Sequence, residues 1–71
     1  MKRTRLINAR KNKNLTLEQV SNAIGIKKSH YSKLENGKSN PSWDVGCSLG
    51  YFFGIEACKL LQRDGENDDE N

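Results

Sequence analysis

The stretch Leu15-Thr16-Leu17-Glu18-Gln19-Val20-Ser21-Asn22-Ala23-Ile24-Gly25-Ile26 decides the fold. Thr16-Leu17-Glu18-Gln19 is a capping box: the Thr16 hydroxyl can accept from the Gln19 backbone N–H while the Gln19 side chain reaches back. Val20, Ala23 and Ile24 follow at helical spacing, and Gly25 stops the helix. A glycine at that point lets the chain turn sharply, and the small Ser21 four residues earlier lets the next helix approach closely. Two short helices joined in this way form a helix-turn-helix, in which the second helix can enter the DNA major groove.

Working outward, residues 2–12 form a basic segment with a thin apolar face of Leu6, Ile7 and Ala9, and Asn14 is a plausible left-handed stop. Downstream, residues 28–35 read as a third helix with Tyr31 and Leu34 inward. Asn36-Gly37 ends it and opens a polar loop to Pro41. Ser42 caps a fourth helix, with Asp44 favourable in its first turn. Gly46, Leu49, Gly50 and Phe53 share one face of that helix. Gly54 stops it, and residues 55–63 make a short fifth helix with Leu60 and Leu61 inward. No stretch alternates apolar and polar residues long enough for a strand, so the fold class is all-α.

The chain has 71 residues, enough for one small domain. Residues 1–63 hold all 12 basic residues and four acids, a net +8; residues 64–71 carry a net −5. The expected division is a folded body over 1–63 and a disordered acidic tail over 64–71. A basic body points to a polyanion, most simply nucleic acid. No apolar run approaches the ~18 residues of a membrane span, and no apolar stretch follows Met1 to make a secretory signal. Two cysteines, Cys47 and Cys58, make no disulfide framework, so a cytoplasmic location is expected and both read as helix-packing residues. His30 is the sole histidine, with no ligand partners nearby in sequence, and neither a metal nor a cofactor is expected. No phosphate loop, nucleophile elbow or carboxylate pair is present in the body, which argues against an enzyme.

The run from Leu15 to Ile26 continues as Lys27-Lys28-Ser29-His30-Tyr31-Ser32-Lys33-Leu34-Glu35-Asn36-Gly37-Lys38, then Asn40-Pro41-Ser42. Together they resemble the phage-repressor/Cro-type (XRE-like) helix-turn-helix family. The resemblance covers about residues 3–62, and the Leu-Glu-Asn-Gly-Lys block with Asn-Pro-Ser is its specific part. It implies a compact five-helix domain and a sequence-specific transcriptional regulator, expected to be a repressor that binds double-stranded DNA as a homodimer. It also implies base contacts from Lys28, Ser29 and Lys33, with Lys27, His30 and Ser32 behind them. Phosphate contacts are implied for Arg10, Thr16, the Leu17 backbone, Asn36, Lys38, Asn40 and Ser42, and an ion pair for Arg10 with Glu35.

The sequence departs from the family pattern at Lys27 and Glu56, where a Ser or Thr cap is usual, at Ser21 in place of alanine, and at Leu17 in place of glutamine. Gly46 and Gly50 inside one helix weaken it unless a neighbour packs very closely. Trp43, Tyr51, Phe52 and Phe53 exceed what one small core needs, so Tyr51 and Phe52 are the candidate dimer contacts. The other reading is a protein-interaction module, an antitoxin or anti-repressor with a protein partner, or a restriction-modification controller. The lysines of the third helix argue against a purely protein-binding role.

Overall fold

The computed structural model describes residues 2–65. Five helices follow in order: α1 (Thr4–Asn12), α2 (Leu17–Ile24), α3 (Lys28–Glu35), α4 (Trp43–Phe53) and α5 (Ala57–Leu60). Strands are absent among the described residues. The core is built from Leu6 and Ala9 of α1, Val20 of α2, Tyr31 and Leu34 of α3, Leu49 and Phe53 of α4, and Leu60 of α5. Each helix thus gives its helical-period apolar residues to one shared interior.

Local signals behave as the residues dictate. Both bonds of the capping box form: Gln19 N donates to Thr16 Oγ1 at 3.1 Å and Thr16 N to Gln19 Oε1 at 2.8 Å. Gly25 takes the left-handed conformation, φ +87°, and closes α2 through its N–H to the Ser21 carbonyl. Ser21 is buried, with its hydroxyl turned back to the Glu18 carbonyl. Asn14 adopts a positive φ of 59°.

The two ends of the helical body differ from the sequence reading. The first helix begins at Thr4 rather than residue 2, because Arg3 lies outside helical geometry as its N-cap. The fifth helix, expected over 55–63, is the single turn Ala57–Leu60. Before it, Ile55 donates back to the Gly50 carbonyl and Glu56 is extended, without a side-chain cap. After it, the Leu61 carbonyl accepts from Arg3 Nε at 2.8 Å and does not continue a helical ladder. Asp64, at the start of the expected tail, bonds to α1: its N–H donates to the Lys2 carbonyl and its carboxylate accepts from the Thr4 N–H and hydroxyl. The remainder of that tail, residues 66–71, lies outside the described residues.

Gly46 and Gly50 mark a close approach between α4 and the chain around α5. A Cβ added at Gly50 would stand 2.9 Å from the Ile55 carbonyl oxygen and 3.2 Å from Ala57 N. At Gly46 it would meet only the tip of Leu61, at 3.3 Å. The glycine at 50 is therefore required by backbone packing, whereas the one at 46 is not.

Both cysteines are exposed, which corrects their reading as packing residues. The inward positions of α4 are already taken by Gly46, Leu49, Gly50 and Phe53, and the single turn of α5 buries Leu60. Phe52 is half-buried and meets Phe53 edge to face, with ring centroids 5.0 Å apart.

Candidate nucleic-acid interface

The helix α3 presents two unlike faces. Tyr31, Leu34 and Glu35 are buried. Lys28, Ser29 and Lys33 are exposed, and Ser29 and Lys33, four residues apart, stand on the side opposite the buried arc. Lys27, exposed, is the N-cap residue and supplies no side-chain cap; His30 and Ser32 are half-buried. The first turn of α3 holds no acid. Lysines at a helix N-terminus oppose the helix dipole, at a cost of order 0.3–1 kcal/mol each. That is a local conflict with folding, and such conflicts concentrate where function needs them.

Over residues 27–38 there are four lysines and one acid, Glu35. Glu35 is buried and fully engaged by Arg10: Nε to Oε2 at 2.7 Å and Nη2 to Oε1 at 3.2 Å, a bidentate pair joining α3 to α1. The solvent surface of this segment is therefore positive without an exposed acid to offset it. Such a face attracts polyanions and releases their counterions on contact.

The mounting of α3 is stiff. The hydrogen bond to Glu35 holds the Arg10 pKa above its ordinary value, against the opposing effect of burial. The third Arg10 nitrogen donates to the Leu15 carbonyl at 3.0 Å, so the same guanidinium also ties down the entry to α2. Of the residues expected at phosphate, Arg10 is thus the one turned inward. Tyr31 packs beside this pair. Burial pushes its phenol well above the usual pKa, with the Glu35 carboxylate adding to the effect. Its hydroxyl lies beside the Glu35 carboxylate but makes no hydrogen bond of ordinary geometry.

Arg3 is a structural support for this face that sequence reading missed. It is 3 % exposed. Its guanidinium donates to the carbonyls of Leu34, Ser39 and Leu61 and to Asn40 Oδ1, at 2.6 to 2.9 Å. Its own N–H donates to the Glu35 carbonyl at 2.9 Å. One side chain thus holds the C-terminal end of α3, the following loop and the end of α5. Its partners lie far along the chain and are mostly backbone carbonyls, so no sequence signal pointed to it. Arginine cannot accept a hydrogen bond, so the Asn40 atom facing it is the oxygen, and the Asn40 NH2 is left as a donor. Asn40 itself is exposed.

The remaining expected phosphate residues lie at helix ends and in the loop after α3. Thr16 and Ser42 accept from the first-turn amides of α2 and α4, the latter at 3.3 Å from Val45 N, and both hydroxyls are exposed. Each retains its O–H proton for a further acceptor. Leu17 begins α2, half-buried against the core. Asn36 is half-buried, its amide committed to the Ser32 carbonyl at 2.9 Å. Lys38 is exposed, with its N–H fixed to the Lys33 carbonyl.

The helix-turn-helix model matches residues 6–45, more than half of the chain. The chain belongs to the helix-turn-helix family of DNA-binding transcriptional regulators. This helix-turn-helix protein is also similar to the transcriptional repressor RstR of cryptic phage CTXphi from Vibrio cholerae, with 31% identity over 58 residues. The match covers 82% of this chain and 52% of RstR, so the chain spans about half the length of that relative. Among the described residues, no helix is long and apolar enough to cross a membrane.

Proposed function

We propose that this helix-turn-helix protein is a cytoplasmic repressor that binds an inverted-repeat operator in double-stranded DNA as a homodimer. The observation that carries this reading is the unopposed positive outer face of α3 on a helix fixed from behind by Arg10, Glu35 and Arg3. A reading head needs side chains free to meet bases and a backbone that holds still.

In this reading Lys28, Ser29 and Lys33 touch base edges, with Lys27, His30 and Ser32 at the margin. Lysine donors suit guanine O6 and N7, so half-sites containing G are favoured. Thr16, the Leu17 N–H, Asn36, Lys38, Asn40 and Ser42 hold phosphates and set register. The N-terminus of α2 adds oriented N–H donors. Arg10 acts as a positioning residue. Two copies related by a two-fold axis place their α3 helices about one DNA turn, roughly 34 Å, apart.

Selection from a random duplex library, followed by salt titration of the winner, tests the reading. The expected result is an enriched inverted repeat whose affinity falls steeply with salt. Absence of enrichment, with only weak binding that vanishes at moderate salt, overturns it.

A further inference from the structure

Among the described residues, the most exposed large apolar side chains lie on α4. Trp43 is 83% and Tyr51 91% exposed, and Cys47 between them is exposed as well. Their spacing is i, i+4, i+8, a single ridge about 12 Å long. Two bulky rings thus flank a small thiol. Beside the Trp43 end an open groove of about 270 Å³ runs between α4 and α5, with Gly46, Cys47, Ala57, Cys58 and Leu61 in its walls.

We propose that a second copy of this chain packs on this ridge, α4 antiparallel to α4, with the two-fold axis at Cys47. The inference rests on the homodimer reading above and specifies its surface. Antiparallel pairing about Cys47 sets each Trp43 opposite Tyr51 of the other copy. That tyrosine ring has the groove beside Trp43 to enter. The small Cys47 and Ser48 at the centre let the helix axes close to the usual 8–10 Å.

Charge selects the occupant. Residues 39–58 contain no lysine or arginine, although the chain has 12. This is the longest segment on which two strongly basic bodies can meet without opposing like charges. It carries two acids, Asp44 and Glu56. Area agrees as well. Aromatic side chains bury about 150–250 Å² each, so two tryptophans and two tyrosines supply roughly 600–1,000 Å². With flanking contacts that reaches the ~1,000 Å² of a specific interface. Phe52, half-buried against Phe53, contributes at the edge rather than at the centre.

The test uses the full chain. Sedimentation over a range of concentrations gives the dimer constant, and a short bismaleimide reports which thiols face each other. Wild type and Cys58→Ser are expected to form a covalent dimer, and Cys47→Ser is not. Trp43→Ala with Tyr51→Ala is expected to weaken dimerisation by roughly 100-fold, the effect of losing a buried aromatic hot spot, with an unchanged helical spectrum. A dimer that survives the double substitution, or that cross-links only through Cys58, overturns this face and leaves the homodimer reading intact. A chain that stays monomeric at every concentration and on operator DNA overturns both.

Discussion

Between α1 and α3, two arginines are folded inward; on α3 itself, two lysines stand exposed, Lys33 opposite the buried arc and Lys28 in the first turn. Every guanidinium nitrogen of Arg3 and Arg10 donates to a carbonyl, to Asn40 or to Glu35. Lys28 and Lys33 are exposed. The same formal charge serves two ends, and side-chain chemistry explains the division. The planar, weakly hydrated guanidinium suits a buried fork of carbonyls and carboxylate. The strongly hydrated ammonium on a flexible stem suits a solvent face that meets phosphates and base edges. In the proposed reading the inner seam supplies stability and orientation, and the exposed face of α3 supplies binding.

The largest expected effect breaks the inner seam. Glu35→Gln leaves the Arg10 charge without its counter-ion in a site where the two side chains are 14% and 6% exposed. A loss of about 3–5 kcal/mol is expected, read by denaturant or thermal unfolding. A variant that melts like wild type removes the seam from the account. Arg3→Met tests the other clamp, since it strips donors from the Leu34, Ser39 and Leu61 carbonyls. A loss of at least about 2 kcal/mol is expected on the scale of unsatisfied buried groups.

The paired glycines of α4 offer a smaller and sharper contrast. Gly50→Ala drives a Cβ into backbone at 2.9 Å and is expected to destabilise by about 1–3 kcal/mol, despite the better helix propensity of alanine. Gly46→Ala meets only a flexible leucine tip and is expected to be neutral or stabilising by up to about 1 kcal/mol. Equal losses at both positions would contradict the close approach at Gly50.

Below these lies Tyr31→Phe. Removing a buried hydroxyl that makes no hydrogen bond of ordinary geometry is expected to change stability by less than about 1 kcal/mol. A larger loss in unfolding would reveal a bond from Tyr31 to the Arg10–Glu35 pair. The smallest effect concerns Asp64. Hydrogen bonds from the Thr4 side chain and backbone favour its ionised form and lower its pKa below the ordinary 3.8. Its support of the start of α1 is thus present above that value and fades as pH falls through the lowered one. Amide exchange in the first turn of α1 should quicken over that acid range, and Asp64→Asn should abolish the pH dependence.

Most of the fold was legible because its signals are local. The capping box at Thr16–Gln19, the left-handed Gly25 and the cap at Ser42 each act within four residues. The Arg10–Glu35 contact was implied only by family resemblance. The role of Arg3 was not legible, because its partners lie 31 to 58 residues away and are mostly backbone carbonyls, which have no sequence signature. The short fifth helix was misread for the same reason: beyond Leu60 the chain bonds to distant residues, the Asp64 N–H to the Lys2 carbonyl and the Leu61 carbonyl to Arg3. The exposed cysteines were misread because composition favours burial, whereas their helical positions are set by which neighbours fill the core. The outer face of α3 was legible as a run of lysines, but the isolation of Glu35 behind them needed the structure.

A charge-matched comparison bears most directly on the division between faces. Lys28→Gln with Lys33→Gln removes two charges from α3; Arg5→Gln with Lys59→Gln removes two from the exposed α1–α5 side. Affinity for the selected operator is measured for both at one salt concentration. The first pair is expected to weaken binding by roughly 10-fold or more and to relax base preference, on the scale of lost base contacts. The second should leave base preference unchanged and weaken binding far less. Equal losses, with base preference intact in both variants, would mean that charge alone binds DNA and that α3 is no reading head.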